Sequence, residues 1–71
     1  MSLPQPVLYD LCVDRIKHNG AIVVELRRSI DFEFVDKRTF YGYSKRQSVE
    51  AMLKYHQLKH KNIALLIDNT K

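Results

Sequence analysis

Between Val7 and His18 the apolar positions satisfy two periods at once. Leu8, Leu11, Cys12 and Ile16 recur as one helix face with Asp10, Asp14 and Lys17 opposite, while Val7, Tyr9, Leu11 and Val13 alternate as in a strand. The helical reading predicts a helix over 7–18. Pro6 suits a first helical position, where its missing N–H costs nothing, and Asn19-Gly20 tolerates the left-handed backbone that ends a helix. "AIVVELRR" at 21–28 is β-branched and alternates Ile22, Val24 and Leu26 against Val23, Glu25 and Arg27, which predicts a strand. "IDFEF" at 30–34 alternates again, with Ile30, Phe32 and Phe34 on one side, so Arg28-Ser29 reads as a tight hairpin connection. Asp36-Lys37-Arg38 has turn polarity without glycine and predicts a longer loop, from which Thr39 to Tyr43 returns as a third strand.

"SKRQ" at 44–47 is a capping box: the Ser44 hydroxyl can accept from the Gln47 N–H while the Gln47 side chain reaches back. It predicts a helix over 45–61, with Gly42 letting the chain turn closely into it. At ~100° per residue, Val49, Met52, Leu53 and His56 cluster, and Ala51, Tyr55 and Leu58 widen the apolar arc past half the circumference. Arg46, Gln47, Glu50, Lys54, Gln57 and Lys61 fill the remaining strip. A helix on a sheet needs a narrower stripe, so the surplus predicts contact with the first helix, with "IALLI" at 63–67, or with another subunit. "IALLI" reads as a short final strand or an apolar tail, and without alternation it should be covered on both faces. The expected architecture is a single small α+β domain: a three-stranded antiparallel sheet carrying two helices, α-β-β-β-α, with a fourth short strand as an option. Its expected core is Ile22, Val24, Leu26, Ile30, Phe32, Phe34, Phe40, Val49, Met52 and Leu53.

Composition and charge bear on this picture in four places. A 71-residue chain supports one domain, and a hydrophobic content of 45% suits a folded one. No apolar run reaches the roughly 18 residues of a membrane span, and "MSLPQPVLYD" lacks the layout of a secretory signal. Cys12 is alone, which fits a small buried hydrophobe in a reducing compartment such as the cytoplasm. The net charge of +4 is unevenly spread. Residues 1–36 carry Arg15, Lys17, Arg27 and Arg28 against Asp10, Asp14, Glu25, Asp31, Glu33 and Asp36. Residues 37–62 carry Lys37, Arg38, Lys45, Arg46, Lys54, Lys59 and Lys61 against Glu50 alone.

Catalytic chemistry finds little footing. There is no nucleophile elbow, no glycine-rich phosphate loop and no Cys–His pair of recognisable spacing, so neither catalytic residues nor a cofactor are expected. Asp10 and Asp14 fit a solvated helix face better than a carboxylate pair. His56 and His60 sit four apart, but no third metal ligand can be named beside them, and His18 reads as a helix-end residue.

The basic cluster is the stronger lead. Lys37 and Arg38 are expected at a hairpin tip, and Lys45 and Arg46 in the first helical turn, where acids normally sit. Two cations there work against local stability and concentrate positive potential where phosphate binds. Tyr41 and Tyr43, two apart on the third strand, would face outward beside them, and aromatics among cations suit nucleic acid. The expected function is non-enzymatic nucleic-acid binding, DNA or RNA, through Lys37, Arg38, Tyr41, Tyr43, Lys45, Arg46 and Lys54. The competing expectation is a protein-interaction module, adaptor or inhibitor. It would be homodimeric or partner-bound through Tyr55, Leu58, Ile63, Leu65, Leu66 and Ile67, its basic patch serving solubility.

"GYSKRQSVEAML" resembles the start of the second helix in double-stranded-RNA-binding domains, where a glycine-rich strand end leads into S-K-K-x-A-K-x-x-A-A. Ser44, Lys45 and Arg46 match its first three positions, Ser48 replaces a small alanine, Ala51 matches a second, and Val49 stands at the third phosphate-binding lysine. "PVLYDL" is similar to that family's first helix, and the resemblance covers 6–58 in the order α-β-β-β-α. Where the family carries a G-P-x-H-type minor-groove probe, this chain has only Arg28-Ser29. The resemblance implies shape-selective binding of duplex RNA. "YGYSKRQS" is equally similar to the G-F-x-T-K-K-E-A junction of the arm-type DNA-binding domains of phage-type integrases. That pattern places three strands before one helix, has no opening helix, and implies reading of the major groove by the sheet.

Overall fold

The computed structural model describes residues 7–70. Its elements are β1 (Tyr9–Arg15), β2 (Ile22–Arg28), β3 (Phe34–Phe40), α1 (Lys45–Tyr55), a single 3-10 turn (His60–Asn62) and β4 (Ile63–Asp68). The result is a small α+β fold of one four-stranded mixed sheet, ordered β3-β2-β1-β4, with one helix. β1–β2 and β2–β3 are antiparallel, whereas β1 and β4 run parallel.

The expected opening helix is therefore a strand, and the alternating period is the one that operates. Pairing decides between the two. Leu11 lies opposite Leu26 and Val13 opposite Val24, so alternation buries both against α1, while Asp10, Cys12 and Asp14 fall on the other face. A helix would have used the same residues but left the whole of β2 without an inner neighbour. Asn19-Gly20 closes the β1–β2 hairpin instead of capping a helix. Gly20 takes φ +72°, the Asn19 Oδ1 accepts from the Ala21 N–H at 2.9 Å, and the Ile16 N–H donates to the Ala21 carbonyl at 2.8 Å. Pro4 and Pro6 lie outside the described residues.

The second hairpin also departs from expectation. Residues 30–33 form the loop, not a strand, and Asp36, Lys37 and Arg38 lie inside β3, not at a tip. The Arg28 guanidinium bonds Asp31 at 2.6 Å and also Glu33, Phe32 adopts φ 58°, and the Arg28 N–H donates to the Glu33 carbonyl at 2.9 Å. β3 then carries a bulge. Phe34 pairs with Arg27 and Asp36 with Leu26, so Val35 is the extra residue and side chains beyond it change face. Ile30 (91% exposed), Phe32 and Phe34 consequently leave the expected core, and the Arg27 guanidinium lies over both phenyl rings instead. β3 ends at Phe40, so Tyr41 and Tyr43 follow the strand in a bend whose Gly42 takes φ +74°.

α1 begins as expected: Ser44 Oγ accepts from the Gln47 N–H at 3.1 Å, and the Gln47 side chain accepts from the Ser44 N–H at 2.9 Å. It ends at Tyr55 and not at 61. Gln57 adopts φ 57°, its N–H donates to the Lys54 carbonyl, and the Leu58 N–H donates to the Leu53 carbonyl at 2.8 Å. This pair of bonds is a Schellman closure, usually marked by glycine, and a glutamine in its place hid the helix end from the sequence. The shorter helix also removes the surplus apolar arc, because His56 and Leu58 lie past its end.

The core is Leu11, Val13, Ala21, Ile22, Val24, Leu26, Met52 and Leu53, with Tyr9, Phe40, Val49, Leu58 and Ile63 packed partly against it. Buried Ser48 sits among them because its hydroxyl donates to the Ser44 carbonyl at 2.8 Å. β4 is an edge strand, so "IALLI" is not covered on both faces: Leu65 is 52% and Leu66 54% exposed.

Candidate functional site

The structure distributes the expected cationic cluster over several surfaces. Lys37 is exposed on the helix-free face, opposite Glu25. Arg38, one residue on, points to the helix side, where its Nε donates to Asp36 Oδ2 at 2.7 Å and its guanidinium stacks 3.7 Å from the centre of the Tyr55 ring. His56 Nε2 bonds the same Asp36 oxygen at 2.9 Å. Asp36 thereby joins β3 to the end of α1. Burial pushes its carboxyl upward, but hydrogen bonds from His56 and Arg38 outweigh this and hold it below the usual carboxylate range.

A group whose folded pKa is depressed adds stability above its unfolded value, ~3.9 for Asp, and loses it as pH falls through the folded value. Thermal unfolding followed between pH 6 and pH 2 should show the melting temperature of the wild type falling below about pH 4. An Asp36→Asn variant should start lower and fall less steeply over the same window. Parallel curves would remove Asp36 from the acid response.

Lys45 is also committed within the fold. Its Nζ lies 2.6 Å from Asp68 Oδ2 and 3.1 Å from Thr70 Oγ1, tying the start of α1 to the end of β4. The Lys45 hydrogen bond, then those from Thr70, hold the Asp68 carboxyl far below the ordinary value. Arg46 is exposed and bridges two concavities. One is shared with Gly42, Tyr43 and Gln47, and Tyr43 rests its ring 5.4 Å from Phe40. The other is a groove of about 310 Å³ between α1 and β4, floored by Val13, Val49 and Leu66. Lys45, Arg46 and Asp68 stand at one end of this groove. Glu50 and His60 stand at the other, with His60 Nε2 bonded to Glu50 Oε1 at 2.6 Å. Lys54 is exposed in the last turn of α1, and Lys59 joins it around a further hollow.

Of the seven expected nucleic-acid residues, Tyr43 and Arg46 share a hollow at the start of α1, Tyr41 is exposed in the bend before it, and Lys54 lies in the last turn of the helix. Exposed Lys59 and Lys61 extend that far end. They belong to the turn after the helix, a position that could be found only once the helix end at Gln57 was known. Of the expected docking residues, Leu65 and Leu66 reach the free edge. Leu58 and Ile63 pack on the core, Ile67 is half-buried, and Tyr55 lies beneath Arg38.

The helix-free face is mixed in charge. It presents Asp10, Asp14 and Glu25 with Arg27 and Lys37, while Arg27 is already bonded to Glu25 and to the Phe32 carbonyl at 2.9 Å. Asp10 corrects a further expectation: it is only 7% exposed, and among the described residues its Oδ1 has no hydrogen-bond partner. Cys12, half-buried between these acids, has its thiol pushed upward by burial and then by Glu25 and Asp14, which disfavours the reactive thiolate. His56 and His60 each bond a separate carboxylate. Among the described residues no group of three His, Cys, Asp or Glu side chains is placed to hold a metal, and no helix is long and apolar enough to cross a membrane. The chain matches no family model, and no curated protein or solved structure is significantly similar to it.

Proposed function

We propose that this chain is a non-enzymatic nucleic-acid-binding domain that grips backbone phosphate along the outer side of α1, not with the face of its sheet. The observation that carries this reading is the surface around α1. There Arg46, Lys54, Lys59 and Lys61 are exposed, and Glu50, already bonded to His60, is the one acid between Lys37 and Asn62. Exposed Tyr41 and Tyr43 beside Arg46 offer rings for base stacking. The acids on the helix-free face argue against reading DNA with the sheet, which is why the helix side is preferred.

The binding is electrostatic, so it should weaken steeply with salt. About four phosphate contacts give a log–log slope of about −3 to −4 on duplex DNA. Arg46→Gln with Lys54→Gln should flatten that slope by about 2, since each contact contributes ~0.9. Lys45→Gln should leave the slope nearly unchanged, because Lys45 is engaged with Asp68. Titrations against duplex DNA, duplex RNA and single strands decide the class of nucleic acid. Absence of binding to all three at low salt would reject the proposal.

A further inference from the structure

The two edges of the sheet are built differently. β3 carries Asp36, Lys37 and Arg38 together with the bulge at Val35, which are the devices that keep an edge strand from pairing with another chain. β4 has no charged residue or proline along its central stretch, and its one register shift lies at Ala64, next to its start. Ile63, Ala64, Leu65, Leu66 and Ile67 contain no charge and no proline, β1 pairs on one side only, and no described element covers the other side. A register shift at Ala64 leaves Leu65–Asp68 as the regular part of the strand, and the Asn69 N–H continues its ladder to the Val13 carbonyl at 2.8 Å.

We infer that β4 is the pairing edge for a second copy of this chain, joined antiparallel about a two-fold axis at Leu66 to give one continuous eight-stranded sheet. The pairing shares Arg46 and Glu50 with the proposed phosphate surface, but its test reads self-association through β4 and not nucleic-acid binding. An isologous contact must be self-complementary, and this one is, in both packing and charge. With Leu66 opposite Leu66 of the second copy, Leu65 falls opposite Ile67 on the helix-free face, twice over, so every side chain at the centre is apolar. Both copies of α1 lie on the same side of the joined sheet. Arg46 lines the groove at the Asp68 end of β4 and Glu50 at the His60 end, and antiparallel pairing sets each Arg46 toward Glu50 of the other copy. A parallel arrangement would turn the second copy over and put the two helices on opposite faces of the joined sheet, where these charges could not meet. The two half-open grooves then meet over the Leu66 pair, which covers the apolar floor that Val13, Val49 and Leu66 expose in the single chain.

Sedimentation equilibrium on the full chain at 5–200 μM, an ordinary range for a weak dimer, should show a dimer. Leu65→Lys with Leu66→Lys should shift it to monomer with an unchanged far-ultraviolet spectrum, since both side chains are largely exposed. In a Cys12→Ser background, Leu66→Cys should form an intermolecular disulfide under mild oxidation. Directly opposed antiparallel residues lie about 4.5–5.5 Å apart, within disulfide reach. Val35→Cys on the opposite edge should not. A wild-type chain that stays monomeric throughout, a dimer that survives the double lysine change, or one that fails to cross-link through Leu66→Cys would each overturn the inference.

Discussion

Met52→Ala should destabilise the domain by about 2–5 kcal/mol, measured by urea denaturation monitored by circular dichroism. Met52 is fully buried at the centre of α1 and belongs to the one cluster that holds the sheet and helix together. Removing most of its side chain forfeits the transfer energy and leaves a cavity that a core this small cannot redistribute. A domain of this length is stable by roughly 4–10 kcal/mol, so the loss takes a large part of the total. Phe34→Ala provides the contrast. Its ring is larger, yet it lies half-exposed on the helix-free face under Arg27 and should cost about 1 kcal/mol, the upper range of an exposed cation–π pair. Equal costs for the two substitutions would place Phe34 in the core and reject the bulged register.

Asp10→Val should raise stability by about 1–3 kcal/mol, the size of the penalty for a buried polar group without a partner. The carboxyl group is almost wholly buried, and among the described residues its Oδ1 has no hydrogen-bond partner. Arg27, directly opposite, does not relieve it, because that guanidinium is engaged with Glu25 and the Phe32 carbonyl. Valine is close in volume, favours a strand, and would sit beside Leu65, the residue paired with Asp10 on β4. Each kcal/mol corresponds to a rise of roughly 4–8 °C in melting temperature for a domain of this size. A fall in melting temperature would show that the carboxylate is held by a contact that valine cannot replace.

Local signals in the sequence identified what local physics determines. Strand β2 follows from its β-branched alternation, and the start of α1 from the reciprocal bonds of Ser44 and Gln47, both of which the structure contains. The elements that were misread depend on information outside their own residues. "VLYDLCVD" suits either period, and only the presence of β2 as a partner selects the strand. The side on which Phe34 falls is set by one bulged residue, Val35, and a shift of one position turns every later side chain to the other face. The placement of the hairpin loop before Phe34 dispersed the candidate site, since Lys37 and Arg38 then lie inside β3, where consecutive side chains take opposite faces. The pairing of Lys45 with Asp68 could not be read either, because the two meet only when the chain brings β4 beside β1.

That parallel pairing also orders the events of folding. The two hairpins joining β1, β2 and β3 connect neighbours in the chain, so they close short loops at low entropic cost. β4 reaches β1 only by a long crossover through β2, β3 and α1 in the chain, which makes this the pairing of greatest sequence separation in the sheet. It should therefore dock last and open first. Hydrogen exchange would then find the amides of Leu65–Asp68 labelled well before those of Ile22–Arg28, through openings smaller than global unfolding. The strand whose outer edge we infer to pair with a second copy is thus also the one expected to open most readily, and each opening would bare the edge of β1 as well.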